Sequence, residues 1–282
     1  MLLPLVPEGA SLPRIIHQAY LPETALPAEL RANIDWIRNA NPDWEHRFYG
    51  EDDVVRFVRD VYGRAVHARF ERINPQYQAV KVDLFRYLLM YKVGGVYMDA
   101  KSRPLRPLRE VLKADERFIL SQWRNGSGEA FEGFGIHPEL RHLPRGEFQQ
   151  WHIVASPGHP FLRAAIKRVL GNLARYNPAL HGSGQHGVLR LAGPIAYALA
   201  IAPIIGQHAH RRAESSDELG FQYSVYGEGL AHRAGAHYSD RTDSIMRVGA
   251  LTRASEPLIR RARALKQRLR GAGAGAGAAA QA

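Results

Sequence analysis

Residues 76–99 read QYQAVKVDLFRYLLMYKVGGVYMD and carry the strongest structural pattern in the chain. Apolar side chains recur at helical spacing along this stretch, at Val80, Leu84, Tyr87, Leu88 and Tyr91. This spacing predicts a helix over residues 76–92 with one apolar stripe. Gly94 and Gly95 end the helix, and the apolar residues 96–98 predict a short buried strand. Asp99 is therefore expected where that strand leaves its sheet.

The residues before this stretch alternate strand-like and helix-like segments. Strands are predicted over residues 14–19 and 45–49, and helices over residues 28–39 and 52–61. A strand, helix, strand, helix order is typical of α/β domains, in which helices pack on a sheet. The chain is therefore predicted to be an α/β protein.

Length and composition exclude several protein classes. The 282 residues include 45% hydrophobic and 23% charged residues, which suits a globular domain with a sizeable core. There is no cysteine, so disulfide scaffolds, thiol nucleophiles and iron–sulfur clusters are impossible. The site must therefore use oxygen and nitrogen groups.

Targeting and membrane signals are weak. The N-terminal residues 1–14 lack a basic region and are interrupted by Pro4 and Pro7, so we expect them to be retained rather than cleaved as a leader. The longest apolar run, residues 191–205, contains two prolines and is too short to span a bilayer.

Positive charge concentrates near the C-terminus. The chain has a formal net charge of +11, which favours polyanionic partners in general. Residues 253–270 carry seven basic side chains against Glu256 alone, around an apolar stripe at helical spacing. We expect a globular domain over residues 1–252, a basic amphipathic helix over 253–270 and a disordered Gly/Ala tail over 271–282. The helix could lie on anionic lipid or pack against the domain.

Three charged residues near residue 90 are expected to converge. Asp83 and Arg86 lie three residues apart on one helix face, and the Gly94-Gly95 turn folds the next strand back beside that helix. Open α/β sheets bind ligands beyond the carboxyl ends of their strands, where Asp99 lies. Two simpler interpretations stay open: Asp99 caps a turn, and Asp83 with Arg86 forms an ordinary salt bridge.

The ordered pattern from Lys81 to Asp99 resembles the signature of glycosyltransferase family 32, the DxD-containing sugar transferases. Two upstream segments are also similar to the family, Pro13-Arg-Ile-Ile-His17-Gln18 and Asn41-Pro-Asp-Trp-Glu-His-Arg47. The resemblance covers residues 13–108 well. The family includes yeast-type α-mannosyltransferases and bacterial polysaccharide enzymes.

This resemblance implies a GT-A fold, a Rossmann-like α/β/α sandwich with a mixed central sheet and helices on both faces. It implies transfer of a hexose from a nucleotide-diphosphate sugar to a hydroxyl of a glycan or glycolipid, with retention of configuration. Asp83 and Arg86 would hold the hexose and Asp99 the ribose and sugar, with all three as the catalytic set. The strand Ile16-His17-Gln18 would carry the base, and Tyr20 stands where the family often has a stacking Trp. The remaining substrate contacts that the resemblance implies are Gly95, Tyr97 and Lys101.

One position departs from the family pattern. Where the family has Asp-x-Asp, whose second carboxylate ligates Mn²⁺ or Mg²⁺, this chain has Asp99-Ala100-Lys101. Either Lys101 supports the diphosphate, assisted by Arg103 or Arg106, and no metal is needed, or Lys101 turns away and Asp99 holds the ion with His237 or Asp240. In a third interpretation the chain binds sugar nucleotides without catalysis.

The partners and location follow from family analogy and charge. We expect a cytoplasmic bacterial enzyme of surface-polysaccharide synthesis, peripheral at the inner face of the membrane. Alternatives are a basic nucleic-acid-binding protein and a non-catalytic membrane-surface protein. No nucleic-acid-binding motif is visible and the basic residues lie away from the motif region, so nucleic acid is not expected as a partner.

Overall fold

The computed structural model describes residues 3–227, 240–247, 249, 254, 257–259 and 261–262. Within them the strands are β1 (Ile15–Ala19), β2 (Glu45–Tyr49), β3 (Gly95–Met98), β4 (Arg103–Pro104), β5 (Phe118–Gln122), β6 (His152–Ala155), β7 (Arg211–Ser215) and β8 (Phe221–Gln222). The α-helices are α1 (Ala28–Ala40), α2 (Glu51–Glu71), α3 (Gln78–Val93), α4 (Leu108–Val111), α5 (Pro160–Ala174), α6 (Pro178–His181), α7 (Gly184–Leu191) and α8 (Pro194–Ile201).

Six strands form one mixed sheet in the order β2-β1-β3-β6-β5-β7. Strand β1 is parallel to both β2 and β3, β6 is antiparallel to β3 and β5, and β5 is parallel to β7. The short strands β4 and β8 pair antiparallel as a separate ribbon. The chain therefore leaves β1 for β2 on one side and later reaches β3 on the other side, which makes the β1/β3 boundary a switch point of the topology.

Alternate strand residues fill two cores on opposite faces of this sheet. In β3, Tyr97 joins a core with helices α2, α3, α5, α7 and α8, whereas Val96 and Met98 join a core with α1 and α4. In β6, Ile153 and Val154 divide between the two cores in the same way. This period of two is that of strands covered on both faces. The predicted mixed sheet with helices on both faces is confirmed.

The predicted elements agree with the structure to within a few residues, with one larger difference. Helix α2 was expected over residues 52–61 but runs over Glu51–Glu71. Its backbone is non-helical at Gly63, where φ is 73° and ψ is −179°. The part after this break stays helical because Val66 and Phe70 are fully buried in the core.

The turn between α3 and β3 depends on two glycines. Gly94 has a φ of 71° and Gly95 a φ of 102°, values that L-residues with a Cβ rarely adopt. A Cβ on Gly94 would lie 2.6 Å from Pro157 Cδ, and one on Gly95 would lie 2.5 Å from the Ile15 carbonyl oxygen. The turn therefore requires glycine for backbone conformation and for space, and it returns the chain directly beside α3.

The apolar run near residue 200 belongs to a longer stretch than expected from its sequence. Among the described residues, Gly184–Gln207 is the one helical stretch long and apolar enough to cross a membrane by length and composition, with a mean hydropathy of 1.8 over its most apolar window. More than half of that window, 56%, is buried inside the domain. Tyr197 of this stretch stacks on Tyr87 of α3, with ring centroids 5.4 Å apart. In this structure it therefore packs as part of the core.

The predicted C-terminal segments lie mostly outside the described residues. Of the basic segment 253–270, residues 254, 257–259 and 261–262 are described as helical, and Leu258 is exposed. The tail 271–282 lies outside. The division of the chain at residue 252 stays a prediction.

Candidate active site

A cavity of about 300 Å³ opens at the carboxyl ends of β1 and β3, at the switch point of the sheet. Its walls come from the segments that leave the two strands, from one face of α3 and from the chain after β8. The lining includes Ala19–Leu21, Gln78, Arg86, Asp99–Lys101 and Tyr226. A concave site with a few polar groups at this place in an α/β sheet is a typical ligand-binding position.

One guanidinium joins the two acids at the base of this cavity. Arg86 Nη2 lies 3.0 Å from Asp83 Oδ1 and 3.1 Å from Asp99 Oδ1. Asp83 and Arg86 come from one face of α3, and Asp99 follows β3, so the Gly94-Gly95 turn brings the three together. The predicted convergence of Asp83, Arg86 and Asp99 is confirmed. The pair Asp83 and Arg86 is thus a buried ion pair that also contacts a third charged group.

Gln150, just before β6, completes the hydrogen-bond network around Arg86. Arg86 Nη1 donates to the Gln150 carbonyl and to its Oε1, both at 2.9 Å, and Gln150 Nε2 donates to Asp83 Oδ1 at 3.2 Å. Tyr87 also donates to Gln150 Oε1, at 2.9 Å. Because both terminal nitrogens of Arg86 have partners, the guanidinium plane is fixed in one orientation.

The two acids differ in what they can contact. The side chain of Asp83 is 7% exposed and that of Arg86 is 6% exposed, whereas that of Asp99 is 25% exposed. Arg86 and Asp99 line the cavity, and Asp83 lies behind Arg86. A ligand in the cavity would therefore meet the Asp99 carboxylate and the guanidinium, and Asp83 would act by holding the guanidinium.

Burial dominates the electrostatics of this group. It raises the pKa of Asp83 to about 6, because desolvation of the carboxylate outweighs the attraction of Arg86 and the hydrogen bond from Gln150. Burial alone would lower the pKa of Arg86, but the charge of Asp99, followed by Tyr97 and Asp83, raises it above its ordinary value. Arg86 therefore stays charged. Perturbed pKa values of buried carboxylates cluster at functional sites, and structural ion-pair networks shift them as well.

The backbone around Asp99 is fixed from both neighbouring strands. The Asp99 N–H donates to the Trp151 carbonyl at 2.8 Å, and Gln18 Nε2 donates to the Asp99 carbonyl at 3.3 Å. The Tyr97 ring lies 4.9 Å from the Arg86 guanidinium carbon, and the Tyr97 hydroxyl is 3.5 Å from Asp99 Oδ1. Tyr97 is fully buried, so it contacts Arg86 and Asp99 from within the core.

The strand expected to carry the base, β1, lies inside the sheet, and its contact with a base stays a prediction. The side chains of Ile16, His17 and Gln18 are fully buried within the sheet and none lines the cavity, because β1 is an inner strand covered on both faces. His17 contacts the Gly94 carbonyl and the Tyr49 hydroxyl, and burial lowers its pKa to about 4. Gly95 is likewise buried in β3 and serves the turn. These residues are buried in the sheet and do not line the cavity.

Two tyrosines flank the cavity. Tyr20 follows β1 directly, as the sequence indicated, and Tyr226 comes from the segment after β8. Burial raises the pKa of both phenols. Both rings line the opening with apolar surface and keep a hydroxyl, which suits contact with a base or a sugar.

Lys101 lines the cavity, but the two arginines expected to assist it do not. Arg103 donates to Gln222 Oε1 at 2.9 Å, and its guanidinium carbon lies 4.9 Å from the centre of the Trp36 ring. Arg106 packs beside Gly220. Arg103 is thus paired on the β4–β8 ribbon and Arg106 is exposed, and their support of a diphosphate stays a prediction.

The described residues do not fit a divalent metal ion at Asp99. Its Oδ1 already contacts Arg86, and Lys101, two residues further, lines the same cavity. Nowhere in the described part of the chain do three His, Asp or Glu side chains form a group that could hold a metal ion. Asp240 is exposed and belongs to no such group, and His237 lies outside the described residues. Mg²⁺ at a phosphate site is usually held by one or two free carboxylates together with substrate phosphates and waters, and here the carboxylate of the cavity is already paired with the Arg86 guanidinium.

Gln150, Tyr223 and Tyr226 were missed by sequence reasoning. Gln150 immediately precedes the Trp151 carbonyl that binds Asp99, and it reaches the site because β6 pairs antiparallel with β3. Tyr223 and Tyr226 follow β8, which pairs with β4 just after Lys101. The positions of these residues depend on pairing between strands that are about 50 to 120 residues apart in the sequence. No local sequence pattern predicts such pairing.

Comparison with known families supports the resemblance drawn from the motifs. Residues 27–119 match the family model described as "Glycosyltransferase sugar-binding region containing DXD motif". The match includes Asp83, Arg86, Asp99 and Lys101, and covers about a third of the chain.

Curated relatives with detectable similarity include fungal mannosyltransferases. The initiation-specific alpha-1,6-mannosyltransferase of Candida albicans is 28% identical over 57% of this chain and 43% of its own length. The protein of the same name from Schizosaccharomyces pombe is 25% identical over 58% and 41%. The inositol phosphoceramide mannosyltransferase 1 of that yeast is 26% identical over 60% and 45%. The chain thus spans less than half the length of these relatives. They give no support to the expected bacterial context.

Solved structures with partial overlap are titled as a glycosyltransferase or as the glycosyltransferase domain of a toxin. PaToxG glycosyltransferase overlaps with a TM-score of 0.45 and 16% identity over 70% of this chain and 71% of that one. The UDP-bound glycosyltransferase domain from the YGT toxin gives 0.46 and 10% over 79% and 83%. These scores are below the level that establishes a common fold by itself.

Proposed function

We propose that this chain is a glycosyltransferase that moves a hexose from a nucleotide-diphosphate sugar to a hydroxyl of a glycan or glycolipid. The single observation that carries this proposal is the Asp83–Arg86–Asp99 group at the base of a cavity on the β1/β3 switch point. The match to the DXD sugar-binding region over residues 27–119 supports it.

The site offers the groups that sugar transfer needs. In the reaction the bond between the sugar C1 and the leaving phosphate oxygen breaks, and a bond from C1 to the acceptor oxygen forms. The acceptor proton passes to the leaving phosphate oxygen, and configuration is retained by attack on the same face. Charge develops on an oxocarbenium-like ring and on the phosphate, so fixed charges beside both lower the barrier.

Each charged residue has a separate role in this proposal. Asp99, the more exposed acid, accepts hydrogen bonds from ligand hydroxyls, and the fixed Arg86 guanidinium orients Asp99. Asp83 is a positioning residue, because it contacts Arg86 and Gln150 rather than the cavity. Tyr20 and Tyr226 are placed to contact the base or the sugar ring.

Mannose is the first sugar to test, since the curated relatives are named mannosyltransferases. One of them is named for inositol phosphoceramide, a lipid acceptor, so glycolipids belong among the acceptors tried. A peripheral position at the cytoplasmic face of a membrane remains a prediction from the basic segment 253–270. Co-sedimentation with anionic vesicles, lost on deleting residues 253–282, would test it.

A donor screen tests the proposal. The purified chain is incubated with UDP and GDP sugars, including both mannose and glucose forms, and release of the nucleoside diphosphate is measured with and without oligomannose or glycolipid acceptors. We expect one nucleotide sugar to be turned over, faster with an acceptor, and Asp99→Asn to abolish turnover. Saturable binding without turnover of any donor would instead support a sugar-nucleotide-binding protein. Absence of both binding and turnover would contradict the proposal.

A further inference from the structure

We propose that Lys101, held by Tyr223, supplies the positive charge that the ligand's diphosphate needs, so that this chain binds its nucleotide without a divalent cation. The inference rests on the proposed function and deepens it, since it assigns the phosphate-binding group of the same cavity. It is carried by the geometry around Lys101.

The ammonium of Lys101 is fixed by one aromatic residue. Nζ donates to the Tyr223 hydroxyl at 2.8 Å and lies 3.9 Å from the centre of the Tyr223 ring. Among the described residues, no carboxylate oxygen lies within 4.0 Å of Nζ, so Lys101 forms no salt bridge there. The Lys101 residue lines the cavity, and its ammonium, which has no acidic partner among the described residues, is available to an anionic ligand.

The backbone holds Lys101 and Tyr223 together before any ligand binds. The Ser102 hydroxyl donates to the Tyr223 carbonyl at 2.6 Å, and the Val225 N–H donates to the Lys101 carbonyl at 2.8 Å. Pairing of β4 with β8 places Arg103 opposite Gln222 and fixes this register. The Tyr223 ring also packs against Trp123 and Trp151, with centroids 5.0 and 5.5 Å away. The ammonium is therefore preorganised, which lowers the entropic cost of binding an anion.

The charges around Asp99 disfavour a metal ion there and favour a diphosphate bound by Lys101. Arg86 is shared between two carboxylates, so Lys101 is the cavity cation left without an acid among the described residues. A divalent ion on Asp99 would be repelled by the Arg86 guanidinium, which contacts the same carboxylate, and by the charge of Lys101, which lines the same cavity. A diphosphate beside Lys101 would instead be attracted by the ammonium.

Calorimetric titration with UDP and with GDP, each in EDTA and then in excess Mn²⁺, tests the inference. We expect the wild-type chain to bind one of them in EDTA, with a Kd that Mn²⁺ changes by no more than about twofold. Lys101→Met keeps the length of the side chain and removes its charge, and should raise that Kd roughly 10- to 100-fold, the usual effect of losing a charge-assisted hydrogen bond.

Three further variants separate charge at this position from general effects. Lys101→Arg should keep most of the affinity, because it retains a cation beside Tyr223. Tyr223→Phe keeps the ring packing and removes the hydroxyl that orients Nζ, so we expect a smaller, several-fold loss. Lys113→Met removes an exposed lysine at a different surface pocket and should leave the Kd unchanged. Thermal unfolding of each variant confirms that the domain is folded.

The outcomes distinguish this inference from the proposed function. Binding of UDP or GDP that is absent in EDTA and restored by Mn²⁺ would overturn the inference and leave the transferase proposal intact. An unchanged Kd for Lys101→Met would overturn it as well. If neither nucleotide nor any nucleotide sugar binds under either condition, the proposed function itself fails.

Discussion

Arg86 shows how one side chain organises the site. Its two terminal nitrogens reach Asp83, Asp99 and Gln150 at 2.9 to 3.1 Å, and it is almost fully buried. These contacts involve four acceptor oxygens, whereas an ammonium carries three N–H donors on one nitrogen and cannot pair with all of them. The identity of this residue as arginine rather than lysine is therefore a structural requirement.

This requirement predicts a large effect of a conservative substitution. Arg86→Lys keeps the charge but leaves at least one buried acceptor unpaired, so we expect it to lower the free energy of unfolding by about 1 to 3 kcal/mol. Arg38→Lys is the matched control, because Arg38 pairs with Asp35 at the same i,i+3 spacing on the exposed face of α1 and should change stability by less than about 0.5 kcal/mol. Urea unfolding at pH 7 measures both. Equal losses in the two variants would contradict the role given to Arg86.

The sequence was informative about these residues where spacing along one helix or one turn was enough. Asp83, Arg86 and Asp99 were predicted to meet because a three-residue spacing and a Gly-Gly turn constrain them locally. Gln150 and Tyr223 were not predicted, because they reach the site through β6 and β8, whose pairings join distant segments. The side chains of residues 16–18 are buried in an inner strand, and the base contact predicted for this strand stays a prediction.

At the scale of elements, the turn between α3 and β3 fixes where Asp99 lies relative to α3. Gly94 has a φ of 71° and a ψ of −169°, a backbone region that is essentially confined to glycine. Gly63 in α2 has nearly the same angles, 73° and −179°, but a Cβ there would meet no atom within 4 Å. Both glycines have backbone angles that would strain a residue with a Cβ, and they differ in the space available for that Cβ.

Alanine substitutions should separate these two costs. Gly63→Ala is expected to lower the free energy of unfolding by about 1 to 3 kcal/mol through backbone strain alone. Gly94→Ala adds a clash with Pro157 and the Ala155 carbonyl, worth about another 1 to 3 kcal/mol of overpacking, and should also weaken ligand binding at Asp99. Denaturant unfolding of both variants measures the difference. Equal destabilisation would show that the close approach at Gly94 is not a constraint.

The helices and strands before residue 100 could be predicted because each carries its own periodicity and stop signals. Helix α2 was the exception, since its second half after Gly63 is held by burial of Val66 and Phe70 in the core rather than by a local pattern. After residue 100 the order of β6, β5 and β7 in the sheet is set by long-range pairing. Periodicity contains no information on that order.

At the scale of the whole molecule, several buried histidines make stability depend on pH. His17, His152 and His159 are almost completely buried, and burial lowers their pKa values to about 4, about 3 and about 4. They are neutral in the folded chain, whereas unfolded histidines take up protons below about pH 6.5. Their stabilising contribution is therefore present above pH 6.5 and is lost as the pH falls towards 4.

Acidification should accordingly destabilise the domain. Each of these histidines is expected to cost about 2 kcal/mol at pH 5 relative to pH 7, while Asp83, whose pKa is raised to about 6, opposes this below pH 6. Unfolding in urea at pH 7, 6 and 5 measures the slope. His152→Gln should reduce that slope, and His142→Gln, at an exposed position, should not. A slope that is identical in all three proteins would contradict the assignment.

The proposed function requires Asp99, held by Arg86 at the carboxyl end of β3, to bind a nucleotide sugar in the β1/β3 cavity. Calorimetric titration of the preferred nucleotide sugar into the wild-type chain, Asp99→Asn and the control Asp115→Asn, whose acid is exposed away from the cavity, measures this contact. We expect at least a tenfold increase in Kd for Asp99→Asn, about 1.4 kcal/mol, with no change for Asp115→Asn. An unchanged Kd for Asp99→Asn would rule out a nucleotide-sugar contact at this carboxylate.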